Sequence, residues 1–158
     1  MHLPGVVTPG LKIKGFQPYM MSRTFILQNS HFMELKEQLK EIKTQLRLSM
    51  NGAVSQSMRE KGLVYKLNFG VELPRIKSIA AAYEKDHVLA QALWKEDIRE
   101  CKILAGLLQP VDSFLPEIAD IWVENIRNIE IAELTCMNLF QHLPYAPAKS
   151  FHWIAAED

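Results

Sequence analysis

The stretch 129–140 contains the side chain best suited to chemistry in this chain, the carboxylate of Glu133. At 100° per residue it predicts an apolar helix with one buried face, formed by Ile129, Ala132, Cys136, Leu139, Phe140 and Leu143. Glu133 lies at the edge of this face, whereas Glu130 points to the polar side. A carboxylate in such a place either faces a binding groove or forms an ion pair with a base such as Arg99.

Other chemistries find little support in the sequence. His87, His142 and His152 lack the spacing of metal ligands, and Cys101 and Cys136 lie in apolar helical runs without a metal-binding pattern. We therefore predict no metal and no cofactor, and two buried, reduced thiols in a cytoplasmic protein. The chain also lacks a Gly-rich phosphate loop and the known patterns around nucleophilic Ser or Cys.

The residues before this helix predict a series of further helices. The first begins near Ser30 as N-cap, and its apolar stripe is Leu35, Leu39, Ile42, Leu46 and Met50. It ends at Asn51-Gly52, and a short helix follows to about Lys61, where Gly62 stops it. After a loop, Pro74 suits the first turn of a helix that runs to about Lys85.

More helices are predicted at about 86–95, 97–109, 114–127, 129–142 and 147–156, with prolines at the junctions. No segment alternates convincingly between polar and apolar residues, so we predict an all-α fold without a β-sheet.

A sequence echo indicates how these helices are arranged. The residues of 93–99, Leu-Trp-Lys-Glu-Asp-Ile-Arg, recur at 121–127 as Ile-Trp-Val-Glu-Asn-Ile-Arg. Repeats of short helices predict a HEAT-like solenoid of antiparallel helix pairs. In such a turn Asp97 would cap a helix and Ile98 would pack inward, while Trp94 and Trp122 would belong to the core.

Residues 1–30 differ from the rest in their prolines and glycines. They predict a poorly ordered extension, or sequence upstream of a start at Met33, ahead of a single helical domain over 31–158. The chain has neither an apolar run long enough to span a membrane nor a secretory signal pattern.

The net charge of zero conceals a strong polarity. Residues 1–80 contain 12 Lys or Arg and 5 Asp or Glu, a net charge of +7, and residues 81–158 contain 6 and 13, a net charge of −7. A basic half suits the phosphate backbone of a nucleic acid. Alternatively, the two halves attract one another, within the chain or between copies.

The helix at 129–140 resembles the signature helix of the DNA alkylation repair family, the helical-repeat DNA glycosylases. Members typically read Trp-Asp-x-x-Asp at its start and often continue toward Cys-x-Asn-Leu-Phe. This chain keeps the tail, Cys136 to Phe140, and has Ile129, Glu130 and Glu133 in place of the Trp and the two Asp. Further similar blocks are 49–52 with 57–59, 69–75, 93–94 and 98–105, so the resemblance covers roughly 33–157.

The resemblance implies an α-helical solenoid whose concave face holds double-stranded DNA. Active members cleave the glycosidic bond of cationic alkylated purines such as 3-methyladenine or 7-methylguanine. An aromatic cluster and an aspartate stabilise the developing oxocarbenium sugar. On this chain Glu133 takes the place of the aspartate. The cations expected to line the face and neutralise phosphates are Lys61, Lys66, Arg75, Arg99 and Lys102.

The departures from the pattern predict weak or absent excision. Ile129 stands where the family has an aromatic, and it offers no negative π face to a cation. Glu133 keeps the charge but adds a methylene, and a displacement of about 1 Å can cost on the order of 10²-fold in rate. Met58 falls near another aromatic position, and the family's arginine would follow the segment 153–158, where the chain ends.

Three functions are consistent with these observations. The first is binding of double-stranded DNA with weak or absent excision, and the second is slow excision of cationic purines supported by Glu133. The third is a protein-interaction scaffold without DNA chemistry, whose charged halves dock on partners or on another copy.

Overall fold

Eight α-helices account for most of the structure, a computed structural model that describes the backbone of residues 23–155 and the side chains of residues 31–155. They are α1 (Arg23–Leu48), α2 (Gly52–Glu60), α3 (Leu73–Ala80), α4 (His87–Lys95), α5 (Arg99–Leu108), α6 (Pro116–Glu124), α7 (Ile129–Asn138) and α8 (Ala146–Ala155). Single 3₁₀ turns lie at Val111–Ser113 and Phe140–His142. No strand occurs within residues 23–155, and the predicted all-α fold is confirmed.

The first helix differs from its prediction at one end. α1 begins at Arg23, so Ser30 lies inside the helix and is not its N-cap. Most of the extension predicted for residues 1–30 lies outside the described residues. The other end agrees with the sequence, because α1 stops at Leu48, just before Asn51-Gly52.

Local sequence explains most of the following helix ends. Asn51 caps α2 by accepting a hydrogen bond from the backbone N–H of Val54 at 3.2 Å, and Gly62 follows α2 with a positive φ of 85°. Pro74 lies in the first turn of α3, as predicted. α3 ends at Ala80 and not near Lys85, and Asp86 caps the next helix, α4.

The sequence echo has a direct structural counterpart. The rings of Trp94 and Trp122 stack with centroids 4.0 Å apart and planes within 2°, and both residues are buried as predicted. Ile98 packs inward, also as predicted. The capping role predicted for Asp97 is wrong, because Ile98 itself is the N-cap residue of α5 and no side chain caps this helix.

Helix α5 lies at the centre of the core. It packs against α3, α4 and α7, and eight of its residues are buried, including both charged residues of its first turn. The helices from Glu34 onward belong to one compact unit. Among the described helices, none is long and apolar enough to cross a membrane. The position of α5 decides which side chains of α7 are covered and which remain exposed.

Candidate functional site

The buried face of α7 differs from the predicted one along the whole helix. Ile131 and Thr135 are buried, whereas Ile129 is 74% exposed and Cys136 is exposed. α5 packs against α7, with Gly106 facing the backbone of Thr135, so this side of α7 is covered. Leu139, Phe140 and Leu143, which follow Asn138, are buried as predicted.

Because a different face of α7 is buried, Glu130 contacts Arg99, the partner that the sequence suggested for Glu133. The guanidinium of Arg99 donates to both carboxylate oxygens of Glu130, from Nε to Oε2 at 2.8 Å and from Nη2 to Oε1 at 2.6 Å. Arg99 is 3% exposed, and the Glu130 side chain is 27% exposed. A bidentate pair of this kind fixes both position and orientation.

Glu100 extends the pair into a buried network. Its carboxylate is fully buried and accepts hydrogen bonds from the backbone N–H groups of Phe69 (3.2 Å) and Val71 (3.1 Å) and from Arg99 Nη1 (3.2 Å). The same Arg99 nitrogen donates to the carbonyl of Val71 at 2.9 Å. Arg99, Glu100 and Glu130 thus attach the loop 67–71 to α5 and α7.

The loop is also held against α2. Ser55 donates to the carbonyl of Asn68 at 2.7 Å, and the Asn68 side chain accepts from the N–H of Gly70 and donates to the sulfur of Met58. Gly70 has a φ of 70°, and a Cβ on it would overlap the carbonyl oxygen of Asn51. Met58, which the resemblance placed near an aromatic position, therefore contacts this loop.

Burial and charge act together on the titratable groups of the network. Burial opposes the charge of Arg99, but the hydrogen bonds and charges of Glu130 and Glu100 outweigh it and raise its pKa. Burial, followed by the nearby charge of Glu130, raises the pKa of Tyr65, whose hydroxyl lies 3.5 Å from Glu130 Oε2. Arg99 is therefore held in its charged form by its two carboxylate partners.

Glu133 lies on the exposed side of α7, opposite the buried Ile131 and Thr135. Spaced by one turn, Ile129, Glu133 and Met137 form an exposed row, with Ile129 at 74% and Met137 at 63% exposure. The Glu133 carboxylate makes no hydrogen bond or ion pair with the described residues. This row is called the α7 row below, and it contains both residues that the sequence singled out.

The segment 61–66 lies next to the beginning of the α7 row. Asn128, the N-cap residue of α7, donates through its side chain to the carbonyl of Val64 at 3.3 Å, and Tyr65 approaches Glu130. Lys61 and Lys66 lie on this segment, both exposed, and their ammonium groups make no hydrogen bond or ion pair with the described residues. The segment that carries both lysines therefore contacts the beginning of α7.

The other predicted cations lie in different local surroundings. Arg75 is exposed but donates to Ser49 at the end of α1, at 3.1 Å. Arg99 is buried in its ion pairs, so its predicted role as a surface contact to phosphate is wrong. Lys102 is half-buried: its Nζ donates to the carbonyl of Trp94 at 3.0 Å and lies 4.5 Å from the centroid of the Trp94 ring.

Several residues that shape this region gave no recognisable pattern in the sequence. Tyr65 and Glu130 are far apart in the sequence, and no residue next to either of them in the chain predicts their contact. The adjacent charges of Arg99 and Glu100 at the start of an apolar helix were the sequence feature that could have indicated this network. Charges that become buried there need partners.

The cysteines are not candidates for nucleophilic chemistry with the described groups. Burial raises the pKa of the Cys101 thiol to about 12, and burial also raises that of Cys136. Cys136 is exposed, contrary to its predicted burial, and both thiols are free. Among the described residues, no group of His, Cys, Asp and Glu could hold a metal ion.

Comparison with known families decides the relationship of the chain. The model of one family, described as DNA alkylation repair enzyme, matches residues 42–158, which is most of the chain. The chain belongs to the DNA alkylation repair enzyme family. Comparisons with curated proteins and with solved structures find no significant match. Membership in the family supports a role related to DNA repair. The matched residues include all of α7 and the segment 61–66.

Proposed function

We propose that this chain binds double-stranded DNA through the α7 row and the segment 61–66, with weak or absent excision of cationic alkylated purines. The observation that carries the proposal is the exposure of Ile129 and Glu133 on one side of α7, beside a segment with two unpaired lysines. Family membership supplies the nucleic acid as the class of partner.

The charges of this surface suit a DNA backbone with one exception. Lys61 and Lys66 are available to phosphates, and such contacts position a protein on a duplex without reading its sequence. Glu133 would repel phosphates unless a cation lies opposite it. A cationic base satisfies that condition, which is why an exposed carboxylate on this surface favours alkylated purines over ordinary ones.

The same geometry argues against efficient excision. Ile129 provides exposed apolar surface where a cationic base would gain most from an aromatic ring. Glu133 has no partner among the described residues to fix its side chain, and its extra methylene gives it more freedom than aspartate. A catalytic carboxylate needs a fixed position to stabilise an oxocarbenium ion.

Binding is tested by fluorescence anisotropy with a duplex at several salt concentrations. We expect binding at about 50 mM salt, and we expect the Lys61→Gln, Lys66→Gln double variant to reduce the slope of log K against log salt by about two. Lys85→Gln is the matched control: Lys85 is exposed and precedes Asp86, which contacts the carbonyl of Leu108 at the far end of α5. Absence of binding at about 50 mM salt contradicts the proposal and leaves the interaction scaffold.

Excision is tested by release of 7-methylguanine from alkylated duplex DNA. We expect slow release at most, lost in Glu133→Gln and kept in Glu124→Gln, whose carboxylate is exposed at the end of α6. DNA binding without release fits the proposal as well. Equal, measurable release by the wild type and by Glu133→Gln removes Glu133 from the mechanism.

A further inference from the structure

A cleft that borders the segment 61–66 has the features of a small-ligand site. Between the turn 96–98, which joins α4 to α5, and the turn 125–128, which joins α6 to α7, lies a cavity of about 380 Å³. We call it the interturn cleft. Its size lies in the range of pockets that take small organic molecules. The stacked Trp94 and Trp122 contribute to its walls, together with Tyr65.

A lysine is held in position at this cleft. Lys102 donates to the carbonyl of Trp94 and lies over its ring, which in turn rests on Trp122. The ammonium group has three N–H donors, and this one hydrogen bond is the only one it makes with the described residues. Its other donors are therefore available to an acceptor in the cleft.

The cleft has an excess of positive charge. Lys95, Lys102 and Arg127 line it, against the single carboxylate of Asp97. Burial lowers the pKa of Lys102, Asp97 opposes this, and the charge of Arg127 lowers it further. Arg127 is exposed and makes no hydrogen bond or ion pair with the described residues. Two cations thus lie near each other with less negative charge than would balance them.

One of the residues that line the cleft also has an unused donor. The indole Nε1 of Trp94 is buried and has no hydrogen-bond partner among the described residues. Buried indoles normally find one. The partner tryptophan, Trp122, follows the rule by donating to Gln91 at 3.1 Å.

We propose that the interturn cleft binds a phosphate monoester, with Lys102 and Arg127 as the cations that hold the phosphoryl group. A phosphate monoester carries a charge of about −1.5 to −2 at neutral pH, which matches the excess of two positive charges. A guanidinium matches two phosphate oxygens in one plane. The ring of Tyr65, which also lines the cleft and is half-buried, suits a flat organic group attached to the phosphate, such as a nucleobase.

The ligand has two possible sources with the same chemistry. One is a free nucleoside monophosphate, and the other is the terminal phosphate of a DNA strand. The cleft borders the proposed DNA-binding surface, because Tyr65 of the segment 61–66 lines it, but none of its charged residues belongs to the α7 row or to the pair Lys61 and Lys66. Variants of the two sets of charged residues therefore test the two proposals separately.

The test is isothermal titration calorimetry of the full chain with adenosine 5′-monophosphate, inorganic phosphate and adenosine. We expect saturable binding of the monophosphate, and none of adenosine. Lys102→Met and Arg127→Gln should each weaken binding about 10-fold or more, since each removes a charged hydrogen bond. Lys85→Gln, at the other end of α5, should change the affinity less than about twofold.

A second measurement keeps the test independent of folding defects in the Lys102 variant. The pKa of Lys102, followed by NMR of its side chain, should rise when the monophosphate binds to the wild type, because an anion favours the charged form. No binding of either phosphate compound up to about 10 mM overturns the proposal. So does an unchanged affinity in Arg127→Gln, or a Lys102 pKa that the ligand does not move.

Competition separates the two sources and the two proposals. If the source is a DNA end, a 5′-phosphorylated duplex displaces the nucleotide and a duplex with 5′-hydroxyl ends does not. If it is a free nucleotide, neither duplex displaces it. The Lys61→Gln, Lys66→Gln variant should bind the nucleotide normally, so loss of DNA binding there and loss of nucleotide binding in Arg127→Gln are separate results.

Discussion

Arg99 and Arg127 occupy corresponding positions in the two copies of the sequence echo, one at each turn between paired helices. Arg99 is the first residue of α5, is 3% exposed and forms ion pairs with Glu100 and Glu130. Arg127 precedes α7, is exposed and lines the interturn cleft. The first arginine stabilises the fold, and the second is available to a ligand.

The difference arises from the neighbours and not from the arginines. Glu100 follows Arg99 directly, and α7 supplies Glu130 from the next helix pair, so Arg99 is neutralised on burial. Arg127 is followed by Asn128, and its turn is longer, running over residues 125–128 against 96–98 in the first pair. An echo in sequence therefore conserves the stacked tryptophans of the core but not the role of the turn.

The largest difference between the two arginines should appear when each is replaced in turn. Arg99→Met leaves Glu100 and Glu130 buried or half-buried without their cation, and we expect it to lower the free energy of unfolding by about 3–5 kcal/mol. Arg127→Met should change it by less than about 0.5 kcal/mol, as for an ordinary surface position. Urea unfolding followed by circular dichroism measures both. Equal effects of the two substitutions would contradict the assignment of different roles.

After Arg99 itself, the loop 67–71, which its network holds, should be most sensitive to substitution. A methyl group on Gly70 would overlap the carbonyl of Asn51 and lie 2.7 Å from the Ser55 nitrogen, both backbone atoms that cannot turn aside. Together with the positive φ of 70°, this predicts a loss of about 2–4 kcal/mol for Gly70→Ala.

Gly62→Ala isolates the contribution of the overlap. Gly62 has a similar φ of 85°, but a Cβ on it would have nothing within 4 Å. Only the cost of the backbone conformation remains, about 1–2 kcal/mol. Thermal unfolding measures the loss of stability in both variants. If Gly70→Ala lowered the stability no more than Gly62→Ala does, the close approach of the loop 67–71 to α2 would be wrong.

These positions also show what the sequence could predict. Helix ends were predictable wherever local chemistry decides them, as at Asn51, Gly62 and Pro74. The all-α fold and the buried tryptophans followed from spacing alone. The start of α1 was missed, because Ser30 resembles an N-cap although the helix continues through it.

The face of α7 was beyond the reach of periodicity. The helix is apolar on most sides, so several choices of buried face satisfy the pattern equally well. The choice is made by α5, which packs against α7 and whose Arg99 attracts Glu130. Contacts between distant parts of the chain leave no periodic trace, and this is why Glu133 and Glu130 exchanged their expected roles.

The two carboxylates of α7 give a sharper version of the comparison within one helix. Glu130→Gln keeps the size of the side chain but removes the charge that Arg99 contacts twice, and we expect a loss of about 1.5–3 kcal/mol. Glu133→Gln removes an unpaired, exposed charge and should change stability by less than about 0.5 kcal/mol. Thermal unfolding of both variants checks this, and a larger effect of Glu133→Gln would reverse our assignment.

Another small effect concerns an ionic contact between α6 and α8. Asp120 of α6 accepts hydrogen bonds from Lys149 Nζ at 2.6 Å and from Trp153 Nε1 at 2.8 Å, both on α8. These two bonds hold the pKa of Asp120 below its ordinary value. The Asp120 side chain is 36% exposed, so we expect Asp120→Asn to cost only about 0.2–1 kcal/mol at neutral pH.

The sign of the pH dependence distinguishes charge from packing in this contact. Because folding lowers the pKa of Asp120, its ionised form stabilises the folded chain fully above the pKa of the unfolded carboxyl, about 3.9. That stabilisation disappears as the pH falls through the lowered pKa of the folded chain. The gap in free energy of unfolding between wild type and Asp120→Asn should therefore close in acid. A gap that stays constant with pH would mean that Trp153 packing holds α8 on α6, and that the exposed charges contribute nothing measurable.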